Sequence, residues 1–183
     1  MTQPLSSLVH RVAELLKQSQ TRIVFAESCT AGLVSAALAR IPGISEFHCG
    51  SAVVYRLDTK TRWLGVDADL LQDPGPVSSE VAAAMARGVL ERTAEAQLSA
   101  VITGHLGPQA PEGQDGLIFV GIGRREETSI RIQTTRHVLS AVIEGSDFAA
   151  ESLREWRQWK AAEQVLLRVL DAMETAGFPP GRE

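Results

Sequence analysis

Three short stretches of the sequence hold side chains able to do chemistry. The first is Glu27-Ser28-Cys29-Thr30-Ala31-Gly32, where a run of apolar residues gives way to a helical pattern. In an open α/β sheet, ligands bind outside the carboxyl ends of the strands, which is where such a turn lies. The unpaired N–H groups of a helix start suit an anion, or the oxyanion that forms during acyl transfer. Small residues such as Ala31 and Gly32 allow a ligand close to the backbone. The Ser28 hydroxyl is a candidate nucleophile there. Cys29 is another, since a helix N-terminus lowers a thiol's pKa. A plainer reading makes Ser28 or Thr30 the helix N-cap.

The second stretch is Tyr55-Arg56-Leu57-Asp58-Thr59-Lys60. A lysine shielded from water loses its proton near neutral pH and can serve as a general base. Paired with Ser28, Lys60 would complete a Ser-Lys acyl-transfer site. The plainer reading leaves Lys60 as an exposed helix lysine. The third stretch is Ile102-Thr103-Gly104-His105-Leu106-Gly107-Pro108. It reaches the same sheet edge as Ser28 if the strands are parallel. Thr103 and the neighbouring N–H groups are candidate substrate contacts, and His105 is a weaker candidate base. The glycines are equally explained by a tight turn. Arg131 and Arg136 fit a solvated strand face better than a phosphate site. Trp63, Trp156 and Trp159 fit packing better than base stacking, because no basic stripe accompanies them.

The elements that must position these groups are legible in the periodicity. Apolar residues at helical spacing predict a helix over 5–19. A buried strand is predicted over 22–28, and an Ala- and Leu-rich helix over 29–41, ended by Pro42-Gly43. A second strand covers 47–55 and a short helix 57–64. Asp73-Pro74-Gly75-Pro76 reads as a loop. Residues 77–96 read as a helix opened by a serine pair, with an acid in its first turn. The unbroken apolar run 98–104 reads as a central strand, followed by a polar loop over 105–116. Strands 116–123 and 128–138 form a hairpin across the charged turn 124–127, the second with one wet face. A closing helical region covers 147–175, with a frayed tail at 176–183. Its two tryptophans mark either a contact surface or an intrachain packing face. The order predicts an α/β, three-layer sandwich with a mixed, mostly parallel sheet and helices on both faces.

The 183 residues suit one domain, and the 44% hydrophobic content is enough to build a core without disulfides or a metal. A formal net charge of −4 argues against a broad grip on nucleic acid. The two cysteines, Cys29 and Cys49, lack knuckle spacing and read as reduced thiols of the cytoplasm. No apolar stretch reaches the roughly 20 residues that span a bilayer, and the first residues are neither signal peptide nor anchor.

Four segments together resemble the CinA C-terminal domain family, which includes bacterial nicotinamide mononucleotide deamidases. They are AESCTAGLVSAALARIPGIS (26–45), GSAVVYRLDTKTRWLGV (50–66), GPVSSEVAAAMARGVL (75–90) and ITGHLGP (102–108). The likeness runs from about residue 5 to about residue 172. It implies hydrolysis of the carboxamide of nicotinamide mononucleotide to nicotinic acid mononucleotide and ammonia. It implies Ser28 as nucleophile and Lys60 as its base, with no metal or other cofactor. Thr103, Gly104, Tyr55 and the N–H groups of Cys29, Thr30, Ala31 and Gly32 would hold the substrate or its oxyanion. A small-molecule nucleotide and further copies of the chain are the partners implied. Full-length relatives carry an additional N-terminal domain, whose activity is not expected here. The chain departs from the family pattern at several places. Ala31 replaces one of two glycines, Arg56-Leu57 stands for Ser-Asn, and 105–110 differs throughout. Gly145-Ser146-Asp147-Phe148 stands where the family has Gly-Asp-Arg. Two alternatives therefore accompany the hydrolase: a silent nucleotide-binding or regulatory domain, and a thiol hydrolase using Cys29.

Overall fold

The structure is a computed structural model that describes residues 5–143 and 152–175. Its elements follow the order α1 (Leu5–Ser19), β1 (Ile23–Glu27), α2 (Leu33–Leu38), a 3-10 turn (Ile44–Glu46), β2 (His48–Val53) and α3 (Leu57–Leu64). Then come α4 (Ser79–Glu91), β3 (Leu98–Gly104), β4 (Leu117–Arg125), β5 (Ile130–Val138) and α5 (Leu153–Thr175). The five strands form one sheet in the order β2-β1-β3-β4-β5. β1 pairs in parallel with both β2 and β3, and the β3–β4 and β4–β5 ladders are antiparallel. The sheet is therefore mixed, with β4 alone reversed.

Alternation along the central strands builds a core on each face. Ile23 and Phe25 of β1, with Leu98, Ala100 and Ile102 of β3, join α1, α2 and α5 in one cluster. Val24, Ala26 and Val101 point the other way, into a cluster with Leu64, Val81, Met85, Val89 and Leu90 from α3 and α4. Every residue of β1 is buried, because helices cover it on both sides. β5 has helix cover on one side only: Ile130 and Ile132 lean on the second core while Arg131 and Gln133 face water. The three-layer α/β expectation thus holds, and so does the hairpin.

Two helices differ from those the periodicity predicts. The helix expected over 29–41 keeps only Leu33–Leu38, because residues 28–32 form a turn. α4 is shorter than 77–96; Ser78 is its N-cap, its hydroxyl accepting from the Val81 N–H. Of the closing helical region, 147–151 lies outside the described residues, as does the tail 176–183. Trp156 is buried and Trp159 packs on the first core, so the tryptophans of α5 form an intrachain packing face. Trp63, by contrast, is exposed on α3 rather than packed.

One glycine decides where α3 can sit. A methyl group at position 88 would overlap the Leu64 carbonyl oxygen. Gly88 in mid-α4 therefore lets the C-terminal end of α3 lie directly against α4, at the usual helix-interior cost of about 1 kcal/mol. That contact seats the helix carrying Lys60.

Candidate active site

Ser28 follows the last residue of β1 and is held by its own N–H, which donates to the Ile102 carbonyl of β3 at 3.1 Å. It is not a helix cap. The α2 N-cap is Gly32, at φ 99°, and no cap side chain bonds there. The capping is done from the strand by Glu27, a residue the sequence reading gave no role. Its carboxylate accepts from the N–H groups of Gly32 (3.0 Å), Val34 (3.1 Å) and Ser35 (2.9 Å). It also accepts from the hydroxyls of Thr30 (2.8 Å) and Ser51 (3.1 Å). Five donors satisfy a buried carboxylate and turn it into a post around which the backbone bends. A carboxylate ending an otherwise apolar buried strand was the signal available in the sequence. By taking over the cap, Glu27 leaves the Ser28 hydroxyl free for another partner.

That partner is Lys60. The side chain comes from α3, whose start Val54 and Tyr55 place beside the carboxyl end of β1. Its Nζ lies 2.9 Å from Ser28 Oγ and donates to the Val54 carbonyl at 2.7 Å. Lys60 is 2% exposed and Ser28 8%. No carboxylate pairs with the ammonium among the described residues. Burial therefore pulls its pKa down from the ordinary 10.5 to about 8, with only the neighbouring Cys29 thiol pushing back. A neutral amine in this position can take the Ser28 proton through its lone pair while one N–H stays on Val54.

The remaining candidates sort by what holds them. Burial pushes the Cys29 thiol up to about 12, so the helix-terminus argument for a thiolate does not apply at this turn. The Ala31 N–H closes the turn on the Ser28 carbonyl at 3.1 Å, and the Gly32 N–H is on Glu27. The N–H groups of Cys29 and Thr30 are spent neither on closing the turn nor on Glu27, and that of Cys29 lies against its own thiol. Thr103 is buried at the end of β3, its hydroxyl donating to the Pro76 carbonyl at 2.7 Å. Gly104 is required by the close approach of β4, since a methyl group there would press on Leu117 and Ile118. Tyr55 is 55% exposed, and its hydroxyl accepts from Arg154 at 2.9 Å. His105 is tied into its loop through Gln114, and burial lowers its pKa. Arg131 pairs with Glu126 on the outer strand, and Arg136 lies exposed on β5. Among the described residues no group of three or more His, Cys, Asp or Glu could hold a metal ion.

The first turns of α5 were missed as part of the site. Gln158 donates to the carbonyls of Cys29 and Thr30, each at 3.3 Å. Arg154 bonds the Gly107 carbonyl as well as Tyr55. Arg157, 1% exposed, grips Asp115 through two bonds of 2.8 and 2.7 Å and also holds the Leu106 and Ser140 carbonyls. Three side chains of one helix thus tie together the loops after β1, β2 and β3, the three strands joined by parallel ladders.

Comparison with known proteins places this arrangement. The CinA C-terminal domain model matches residues 5–155. A CinA-like protein of Dictyoglomus thermophilum is 40% identical over 129 residues, covering 69% of this chain and 31% of that protein. One from Chlorobium limicola is 34% identical over 166 residues, covering 88% of this chain and 38% of its own length. The chain thus spans about a third of the curated relatives it matches. A crystal structure of a competence or damage-inducible protein from Enterobacter asburiae superposes with a TM-score of 0.79 at 26% identity, over 93% of this chain and 99% of that one. One from Klebsiella pneumoniae gives 0.82 at 23% identity, covering 94% and 99%, which speaks to the fold alone. The four motifs, the sheet topology and the model match agree, and the chain belongs to the CinA C-terminal domain family.

Proposed function

We propose that the protein is an amidohydrolase that cleaves the carboxamide of nicotinamide mononucleotide with Ser28 as nucleophile and Lys60 as its base. The observation that carries this reading is the 2.9 Å contact between Lys60 Nζ and Ser28 Oγ inside a buried setting that favours the neutral amine. An exposed lysine would stay protonated and could not accept the serine proton.

The chemistry follows from those positions. Ser28 Oγ attacks the amide carbon while its proton passes to Lys60. In this reading the N–H groups of Cys29 and Thr30 receive the oxyanion. Protonated Lys60 returns the proton to the departing nitrogen, and ammonia leaves an acyl ester on Ser28. Water, deprotonated by Lys60, then releases the carboxylate product and restores the serine. Arg56 and Leu57, which replace two small polar residues of the family pattern, do not obstruct this. Arg56 faces solvent and pairs with Asp58, and Leu57 is exposed. This supports turnover over a silent binding domain. In the same reading the chain works as one domain of the cytoplasm and assembles as a homo-oligomer. Among the described residues, no helix is long and apolar enough to cross a membrane.

The test is ammonia release from nicotinamide mononucleotide and a panel of other small amides. Ser28→Ala is expected to lower kcat at least about 10³-fold with the melting temperature unchanged within a few degrees. Release that survives in this variant removes Ser28 as nucleophile. A wild-type protein that binds the nucleotide without releasing ammonia leaves the binding-domain alternative.

A further inference from the structure

Arg154 and Arg157 are one helical turn apart on α5, yet their surroundings differ. Arg157 is sealed in and neutralised by Asp115. Arg154 is exposed, and its partners are two neutral oxygens, the Tyr55 hydroxyl and the Gly107 carbonyl. Among the described residues it forms no ion pair. It also stands in the first turn of α5, where the helix dipole disfavours a cation. A cation kept against the dipole, with only neutral acceptors among the described residues, departs from the local rules in the way functional positions do.

Its place in the site gives the reason. The Tyr55 backbone adjoins Val54, whose carbonyl holds Lys60. The loop containing Gly107 leaves the end of β3 next to β1. One helical turn further along α5, Gln158 binds the backbone of Cys29 and Thr30. The positive charge of Arg154 is felt at the Cys29 thiol, beside the nucleophile. Guanidinium bonds to an oxyanion are about twice as strong as those to neutral acceptors, and the planar fork accepts two oxygens at once. An anionic ligand group reaching this rim would replace the Gly107 carbonyl and the phenol as the preferred partner.

We propose that Arg154, with the Tyr55 hydroxyl beside it, is the specificity-determining receptor for a phosphate monoester carried by the substrate at the end away from its amide. The inference rests on the amidohydrolase reading for the identity of that substrate. It adds which side chain of α5 reads the phosphate that this substrate carries.

The experiment measures equilibrium binding, so that it does not depend on turnover. Full-length protein carrying Ser28→Ala is titrated by calorimetry with nicotinamide mononucleotide and, separately, with nicotinamide riboside, which lacks only the phosphate. The same titrations are run with Arg154→Met and Arg154→Lys added. The phosphate is expected to improve affinity at least about tenfold in the Ser28→Ala protein. Arg154→Met should bring the two ligands within about twofold while leaving the riboside affinity and the melting temperature in place, and Arg154→Lys should fall between. A phosphate preference that survives Arg154→Met overturns the proposal. So does an equal weakening of both ligands, which would mark a residue that merely holds the loop, or binding of neither. Ammonia release by the wild type is scored separately. Its absence, with the Arg154 effect present, dismisses the hydrolase and keeps the anion receptor; its presence, with the effect absent, does the reverse.

Discussion

Two buried cations stand about the same sheet edge, and the protein treats them in opposite ways. Around Arg157, every element of the surroundings compensates the charge. Asp115 supplies two bonds, the carbonyls of Leu106 and Ser140 supply others, and the loop 105–116 is thereby fastened to α5. The pairing also holds the Asp115 carboxyl below its usual range. Around Lys60, no described residue supplies an opposite charge. Its partners are a hydroxyl and a carbonyl, although the Glu27 carboxylate is one residue from Ser28 and is occupied by five other donors. A buried charge left without a counterion shifts its proton rather than its position. Burial without a counterion is thus what makes a base out of Lys60, while burial with one makes a fastener out of Arg157.

The sharpest way to break this contrast is to remove each cation and read both activity and stability. Lys60→Met should lower kcat for amide hydrolysis at least about 10³-fold, equivalent to about 4 kcal/mol of barrier. Its melting temperature at pH 7 should stay within a few degrees of wild type. Relief from burying a charge there is offset by the Val54 carbonyl losing a donor. Arg157→Met should do the opposite. It leaves the Leu106 and Ser140 carbonyls without their donor and frees the loop, lowering the melting temperature by several degrees. Comparable losses of stability in the two variants would mean that Lys60 is a structural residue after all.

A smaller effect follows from protons alone. Below about pH 8, Lys60 is protonated in both folded and unfolded chains, and the penalty for burying its charge is complete. Between about 8 and the ordinary 10.5, the folded protein has shed the proton while the unfolded chain still binds it, so stability rises with pH. The integrated gain is about 3 kcal/mol at most. Cys29 acts with the opposite sign: its thiol stays protonated in the fold above the ordinary 9.0, so its contribution falls as pH climbs past that value. The quantity to measure is therefore the unfolding free energy of Cys29→Ala minus that of Cys29→Ala with Lys60→Met between pH 7 and 10, a background in which the coupled thiol is absent. The difference should climb in favour of the protein that keeps Lys60, and kcat/KM of the wild type should rise with an apparent pKa near 8. A flat difference would show that the lysine is not desolvated in solution.

How much of this was readable beforehand follows from the same contrast. The Ser28–Lys60 pairing was legible because each residue ends or follows a strongly patterned element and the topology brings the two strand ends together. The parallel central strands, the two-faced core and the hairpin were likewise written in apolar periodicity. What could not be read was the exchange of roles at the turn. Periodicity placed a helix start at 29, whereas the backbone bends around the Glu27 carboxylate and α2 begins only at Leu33. Side-chain capping from a preceding strand leaves no periodic trace. The contributions of Arg154, Arg157 and Gln158 were hidden for another reason. They come from the last helix, remote in sequence from Ser28 and Lys60, and a helix's polar positions do not declare which of them meets a loop.

The smallest effect tests whether backbone strain divides the two regions as charge does. Each contains one residue other than glycine at positive φ: Ala31 at 54° beside the nucleophile, and Gln109 at 68° in the loop fastened by Arg157. An L-residue in this conformation loses about 1 to 2 kcal/mol relative to glycine, while glycine gives back up to about 1 kcal/mol through its freer unfolded chain. Ala31→Gly and Gln109→Gly should therefore each raise stability by about 0.5 kcal/mol in chemical denaturation. Glu27 fixes the amides on the far side of Ala31, and the Ser28 N–H is pinned to Ile102, so the nucleophile's place should not depend on the alanine. Both variants should accordingly keep kcat within about twofold of wild type. A tenfold loss confined to Ala31→Gly would redraw the comparison: the stiffness of the alanine, and not the carboxylate post alone, would be holding Ser28 against Lys60.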